Sequence, residues 1–148
     1  MKNIARIVLV VALGCLNGCS GSNMNHTMTG TWVFTLTPAG SPSQQIQLTV
    51  GLTQINNSVF GQVTLTGNAT ACGTTANMSG LVNGNSVSLQ LTQAQTTLNF
   101  VGKTNATLNL SAGSYTASSG QCIQNGGTGT WSGFLSTPGS TSFDAKSF

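Results

Sequence analysis

From Thr31 onward the chain alternates apolar and polar residues with a period of two, the pattern of strands that bury one face. The segment TWVFTLT sets Trp32, Phe34 and Leu36 on one side, and QIQLTVGLT does the same with Ile46, Leu48, Val50 and Leu52. VFGQVTLT offers Val59, Val63 and Leu65 with Phe60 on the opposite side, and the shorter MSGLV carries Met78 and Val82. SVSLQLT presents Val87, Leu89 and Leu91, while TLNFVG presents Leu98 and Phe100. TLNLSAGSYT predicts Leu108 and Leu110 inward, then a bulge at Ala112-Gly113 before Tyr115, and TWSGFLS supplies Trp131 and Leu135. Asn56-Asn57, Asn83-Gly84-Asn85 and Lys103-Thr104-Asn105 read as the turns between strands, the first two with the chemistry of a tight hairpin.

Strands joined mostly by short turns, each with one apolar face, predict an antiparallel meander. Left open, such a sheet has a wet apolar face and two unpaired edges. Closure into a barrel removes both, because the first strand then pairs with the last. The tetrapeptide Thr-Gly-Thr-Trp occurs twice, at Thr29–Trp32 and Thr128–Trp131, and closure makes the two copies neighbours at the seam. Each Gly then eases a close approach, and each Trp fills one end of the interior. The expected fold class is therefore all-β, a single antiparallel up-and-down barrel of about eight strands. A β-sandwich of the same strands is the alternative. A barrel that spans a membrane is disfavoured: Phe148 matches the terminal aromatic of that class, but Lys146, Asp144 and Ser142 break the alternation upstream and aromatic girdles are missing.

Charge changes the picture more than length does. A chain of 148 residues is one domain, and only 3% of it is charged. The formal charge of +3 includes Lys2 and Arg6, which lie in a leader. Without it the charged residues are Lys103, Lys146 and Asp144, too few for an electrostatic grip on nucleic acid. Thr, Ser, Asn, Gln and Gly supply the polar surface, which salt should affect little.

The leader is MKNIARIVLVVALGCLNGCS, a basic start followed by an apolar run from Ile7 to Leu13. That run is shorter than the ~20 residues of a bilayer span and fits the apolar region of an export signal. Leu16-Asn17-Gly18-Cys19 resembles the lipobox of bacterial lipoproteins, in which the Cys becomes the lipidated N-terminus; Ala12-Leu13-Gly14-Cys15 is the competing site. The resemblance implies acyl chains on Cys19. At about 0.8 kcal/mol per buried methylene, two or three such chains make a durable anchor. It also implies an envelope address, and Ser20 after the Cys favours the outer membrane over the inner. The expected organisation is a signal peptide at 1–18, a flexible tether at 19–28, the barrel at 29–136 and a disordered tail at 137–148.

With Cys15 removed and Cys19 lipidated, Cys72 and Cys122 remain in an oxidising compartment and are expected to pair. The bridge would close a loop of some fifty residues, worth on the order of 4 kcal/mol in the chain-entropy model. Zinc would need further soft ligands at short spacing, and the chain's single His, His26, lies in the tether.

Gly30-Thr31-Trp32 resembles the Gly-x-Trp signature of calycins, the lipocalin and avidin barrels. That resemblance implies an eight-stranded barrel whose interior holds a small apolar ligand, and it carries across no ligand residue beyond Gly30 and Trp32. Across most of the chain the order GTW…LT, LTG…C, VNGNSVSL, TLNFVG, SYTASSGQC, GTGTWSG is similar to small uncharacterised bacterial lipoproteins. That similarity implies class and location only.

Catalytic chemistry finds little to stand on. Paired-carboxylate hydrolysis needs two acids and the chain has one, Asp144; a Ser-His-Asp triad would join His26 in the tether to Asp144 in the tail. Gly126-Gly127-Thr128-Gly129 is followed by no Lys and no helix, so it reads as a loop before a strand and not as a phosphate cradle. Trp32, Trp131 and Tyr115 either stack on sugars, line an apolar cavity or plug the core. The expectation is a non-enzymatic, membrane-anchored lipoprotein of the envelope without cofactor or metal. It acts as a binding or structural module toward carbohydrate or protein; the alternative is a calycin-like carrier of a small apolar ligand. A hollow interior would favour the carrier and a filled one the module.

Overall fold

The computed structural model describes residues 27–65, 73–118 and 127–139. Cys19, Cys72 and Cys122 lie outside the described residues, as do His26 and Asp144. Eight strands follow in order: β1 (Gly30–Pro38), β2 (Ile46–Ile55), β3 (Ser58–Leu65), β4 (Thr75–Asn83), β5 (Ser86–Gln93), β6 (Thr96–Thr104), β7 (Leu110–Ala117) and β8 (Gly127–Pro138). Each pairs antiparallel with the next, and β1 pairs with β8, so the sheet is a closed up-and-down barrel. Every strand has a partner on both sides, which sets aside the sandwich.

Closure pairs the strands that carry the two Thr-Gly-Thr-Trp segments, but the tetrapeptides themselves are not neighbours as expected: the antiparallel register sets Gly30–Trp32 against Leu135–Pro138 and Gly129–Trp131 against Leu36–Pro38, at opposite ends of the seam. At the seam Phe34 lies opposite Gly133, Leu36 opposite Trp131 and Pro38 opposite Gly129. A Cβ on Gly129 would sit 2.5 Å from Cε1 of Tyr115, and one on Gly30 would sit 2.5 Å from the Thr137 carbonyl oxygen and 2.7 Å from Cδ1 of Leu135. Gly30 also has φ +142°, a conformation that side chains disfavour. Both glycines are thus required by the packing of the seam.

Alternation sends the apolar residues inward and the hydroxyls and amides outward. The interior is built from Trp32, Phe34 and Leu36 of β1, Leu48, Val50 and Leu52 of β2, and equivalent positions around the ring. At roughly 1.5–3 kcal/mol for each large apolar side chain removed from water, this interior is the main favourable term of folding. It is the reverse of a lipid-spanning barrel, which turns its apolar band outward.

The barrel has two ends. The near end carries the N-terminal entry at Thr27–Thr29, the turns Asn56-Asn57 and Gly84-Asn85, the loop 105–109 and the exit at Gly139. The far end carries the connections β1–β2, β3–β4, β5–β6 and β7–β8. Three of the two-residue turns open with a positive φ, at Asn56 (54°), Gly84 (56°) and Ala94 (48°), as a type II′ hairpin turn requires. Asn and Gly accept that conformation readily.

Three further expectations need correction. Leu110 faces outward, because β7 starts there in the phase that puts Ser111, Gly113 and Tyr115 inside; Leu108 is buried, but from the loop, with φ 51°. Asn105 makes this phase change by accepting the backbone N–H groups of Asn109 at 3.0 Å and Leu110 at 3.2 Å on its side-chain oxygen. No bulge interrupts β7 at Ala112-Gly113, where both registers run unbroken. The irregularity falls on the seam: Thr31 pairs with Thr137 and Trp32 with Leu135, which leaves Ser136 without an opposite residue. Finally, Lys103 and Thr104 belong to β6 and not to a turn.

Substitution at wall glycines separates seats from open positions. A Cβ on Gly102 would lie 2.8 Å from Cζ2 of Trp131, whereas one on Gly51 meets nothing within 4 Å. Gly102→Ala is expected to cost roughly 1–3 kcal/mol or more in urea unfolding, and Gly51→Ala to stay within about 0.5 kcal/mol of wild type. Equal effects would contradict the packing described.

Candidate functional site

The interior is occupied by a column of aromatic rings. Trp32 lies 6.0 Å from Phe34 between ring centroids, and Phe34 stacks on Trp131 at 5.4 Å and 30°. Phe100 meets Trp131 edge-on at 5.8 Å and Tyr115 at 6.0 Å. Such offset and edge-to-face pairs add about 0.5–1.5 kcal/mol each beyond the area they bury. Trp32, Tyr115 and Trp131 are 0%, 1% and 2% exposed. All three residues singled out from the sequence therefore belong to one packed cluster, which plugs the core.

Glycine in the wall makes room for the rings. Trp131 lies over Gly102, Tyr115 over Gly129, and Phe34 over Gly133, whose missing Cβ would be 3.2 Å from Cδ1 of the ring. The indole N–H of Trp131 points between two backbone carbonyls, Ser114 O at 3.1 Å and Val101 O at 3.4 Å. That of Trp32 donates to Met28 O at 2.9 Å. Met28, the last residue of the expected tether, is itself buried, and its N–H donates to Gln54 Oε1 at 2.8 Å. Met28 is thereby held against Trp32 at the near end, where Leu108 is buried as well.

Sequence reasoning missed two features. The first is polar and internal. Gln93 and Thr96 face each other across the β5–β6 hairpin and are buried, and Gln93 Oε1 and Thr96 Oγ1 have no hydrogen-bond partner; nor has Ser111 Oγ. The Gln93 amide donates to Gly73 O at 2.9 Å. Unpaired buried oxygens are uncommon in folded proteins and carry a desolvation cost. The alternation hid them, because Gln and Thr occupy inward positions at the strand ends.

The second is a groove on the outer wall of about 370 Å³, lined by Lys103, Leu110, Ser111, Ala112, Ser132, Gly133 and Phe134. Register explains it. Lys103, Ala112 and Ser132 follow one another across β6, β7 and β8, so small side chains form the floor. Leu110 and Phe134 are paired beside them and form an apolar wall. Lys103 is the one Asp, Glu, Lys or Arg among the described residues. The arrangement offers an apolar surface beside a single cation, a fit for an amphipathic anion and a poor one for acid–base chemistry.

Compared with known protein families and with curated proteins, the chain matches none. The closed eight-stranded antiparallel barrel with a buried aromatic cluster is consistent with a calycin-like fold.

Removal of one ring tests whether the column is structural. Trp131→Ala is expected to cost about 3–5 kcal/mol of stability in chemical unfolding. A loss below about 1 kcal/mol would mean that the rings do not hold the interior together.

Proposed function

We propose that the protein is a non-enzymatic lipoprotein of the bacterial envelope, held to a membrane by acyl chains on Cys19, whose barrel acts as a binding or structural module. The observation that carries the choice of module over carrier is the filled interior: Trp32, Phe34, Phe100, Tyr115 and Trp131 pack on one another where a calycin carrier would hold its ligand. The leader supports the address through Lys2, Arg6, the apolar run and Leu16-Asn17-Gly18-Cys19. Ser20 after the Cys supports the outer membrane.

Contacts with envelope carbohydrate or protein would be made by the outward Thr, Ser, Asn and Gln side chains, hydroxyls and amides that remain hydrated and independent of salt. A disulfide between Cys72 and Cys122 suits this reading too. The two residues sit in the β3–β4 and β7–β8 connections, whose flanking strand ends are at the far end of the barrel, so a bridge would strap that mouth.

Growth with labelled palmitate tests the anchor. Label is expected in wild type and in Cys15→Ala and is expected to be lost in Cys19→Ala. Equal label in wild type and Cys19→Ala would refute the assignment.

A further inference from the structure

The outer wall of the barrel is divided along its axis. The large apolar side chains exposed to solvent are Ile55, Phe60, Leu81, Val101, Leu110 and Phe134, 43–61% exposed. Ile55 ends β2 and Leu110 begins β7; Phe60 is the third residue of β3, and Leu81, Val101 and Phe134 lie in the second halves of β4, β6 and β8. Each of these positions is in the near half of its strand. The register gathers them into two patches: in one, Leu81 and Ile55 flank Ser58, Phe60 lies diagonal to both, and Leu81 connects through Ser88 to Val101; in the other, Leu110 pairs with Phe134, which pairs with Val33.

The far half is different in kind. On every strand the two outward positions toward the far end are Thr, Ser, Asn or Gln, from Thr35 and Thr37 on β1 round to Thr128 and Thr130 on β8. None is apolar and none is charged. Single exposed apolar residues are ordinary on protein surfaces. Their confinement to the near half of the barrel is not, and it calls for something that covers that half.

We infer that the near-end rim seats on the lipid surface, so that the barrel stands on the membrane with its polar half directed away. This rests on the lipid anchor proposed above and adds an orientation to it. The chain enters the barrel at this same end: Thr27–Thr29 lead into β1 there, and Ser20–Thr27 is the whole distance to Cys19. Eight residues span at most about 28 Å when fully extended, which keeps the rim close to the headgroups. Lys103 stands on the same rim beside Leu110 and Phe134, a cation placed where anionic headgroup oxygens would lie. A second copy is a poorer occupant. A two-fold contact centred on the Lys103 groove would bring Lys103 toward Lys103 with no carboxylate among the described residues to separate them. The groove beside Lys103, with its apolar wall and small floor, would take the boundary between headgroup and acyl chain.

The test uses the full, lipidated chain reconstituted in vesicles of phosphatidylethanolamine and phosphatidylglycerol, with a fluorescent amino acid at one position at a time. Positions 60 and 134 report on the rim, and positions 64 and 130 on the polar half. Brominated acyl chains should quench the rim probes roughly twofold or more, as expected for side chains at the headgroup–acyl boundary, and leave the others unchanged. Lys103→Gln should weaken the rim quenching, and raised salt should do the same in wild type. Failure of the chain to float with the vesicles would remove the anchor and this inference together. Flotation with equal, weak quenching at all four positions would leave the anchor standing and overturn the inference. Rim probes that shift to the blue without bromine quenching, in a protein that sediments as a dimer, would overturn it in favour of a second copy.

Discussion

Pairing of β1 with β8 is the contact on which the rest of the molecule depends. Without it the sheet would have two open edges and an apolar face half exposed, and a chain with so few charges would have little to keep such edges apart. The pairing demands close approach, which Gly30 and Gly129 permit in the two copies of the same tetrapeptide. It also sets what lies inside. Once Phe34 is opposite Gly133 and Leu36 opposite Trp131, the rings have one volume to share, and they fill it as a column.

That column decides much of the functional reading. Large rings lie over wall glycines, and their N–H groups find backbone carbonyls, so the aromatic side chains are satisfied in place. A barrel packed in this way leaves its outer wall as the surface open to partners. The outside is hydroxyl and amide toward the far end and apolar toward the near end, with Lys103 the one charge on it among the described residues. The proposed module, anchored by lipid and standing on a membrane through its near end, would offer the other half to neutral polar partners and so account for both.

Much of the fold was legible because inward apolar positions repeat cleanly. The Trp32–Phe34–Leu36 and Val87–Leu89–Leu91 series left one phase to choose, and Phe60 could be placed outside from its neighbours alone. The ambiguity came where that signal was mixed. In TLNLSAGSYT the two leucines outweighed the weak inward set Ser111, Gly113 and Tyr115, and nothing local announced that Asn105 would cap the loop and shift the phase. The seam bulge at Ser136 depends on a partner strand distant in sequence. The rim did leave a trace: the apolar doublets Val59-Phe60, Leu81-Val82, Phe100-Val101 and Phe134-Leu135 each place one member inside and one outside. A doublet interrupts alternation, so it passes as noise until topology shows that the outward member of each lies in the same half of the barrel. Lys103 was missed for a related reason, since a Lys beside Thr and Asn looks like a turn until the strand is seen to continue through it.

Closure is tested most directly by NMR across the seam. Cross-strand contacts between the backbones of Phe34 and Gly133, and between Leu36 and Trp131, are expected, with amide exchange on β1 and β8 as slow as on the central β5–β6 pair. Amides of β1 and β8 that exchange at the rate of unpaired edge strands, without those contacts, would contradict the closed barrel and every functional inference built on its filled interior.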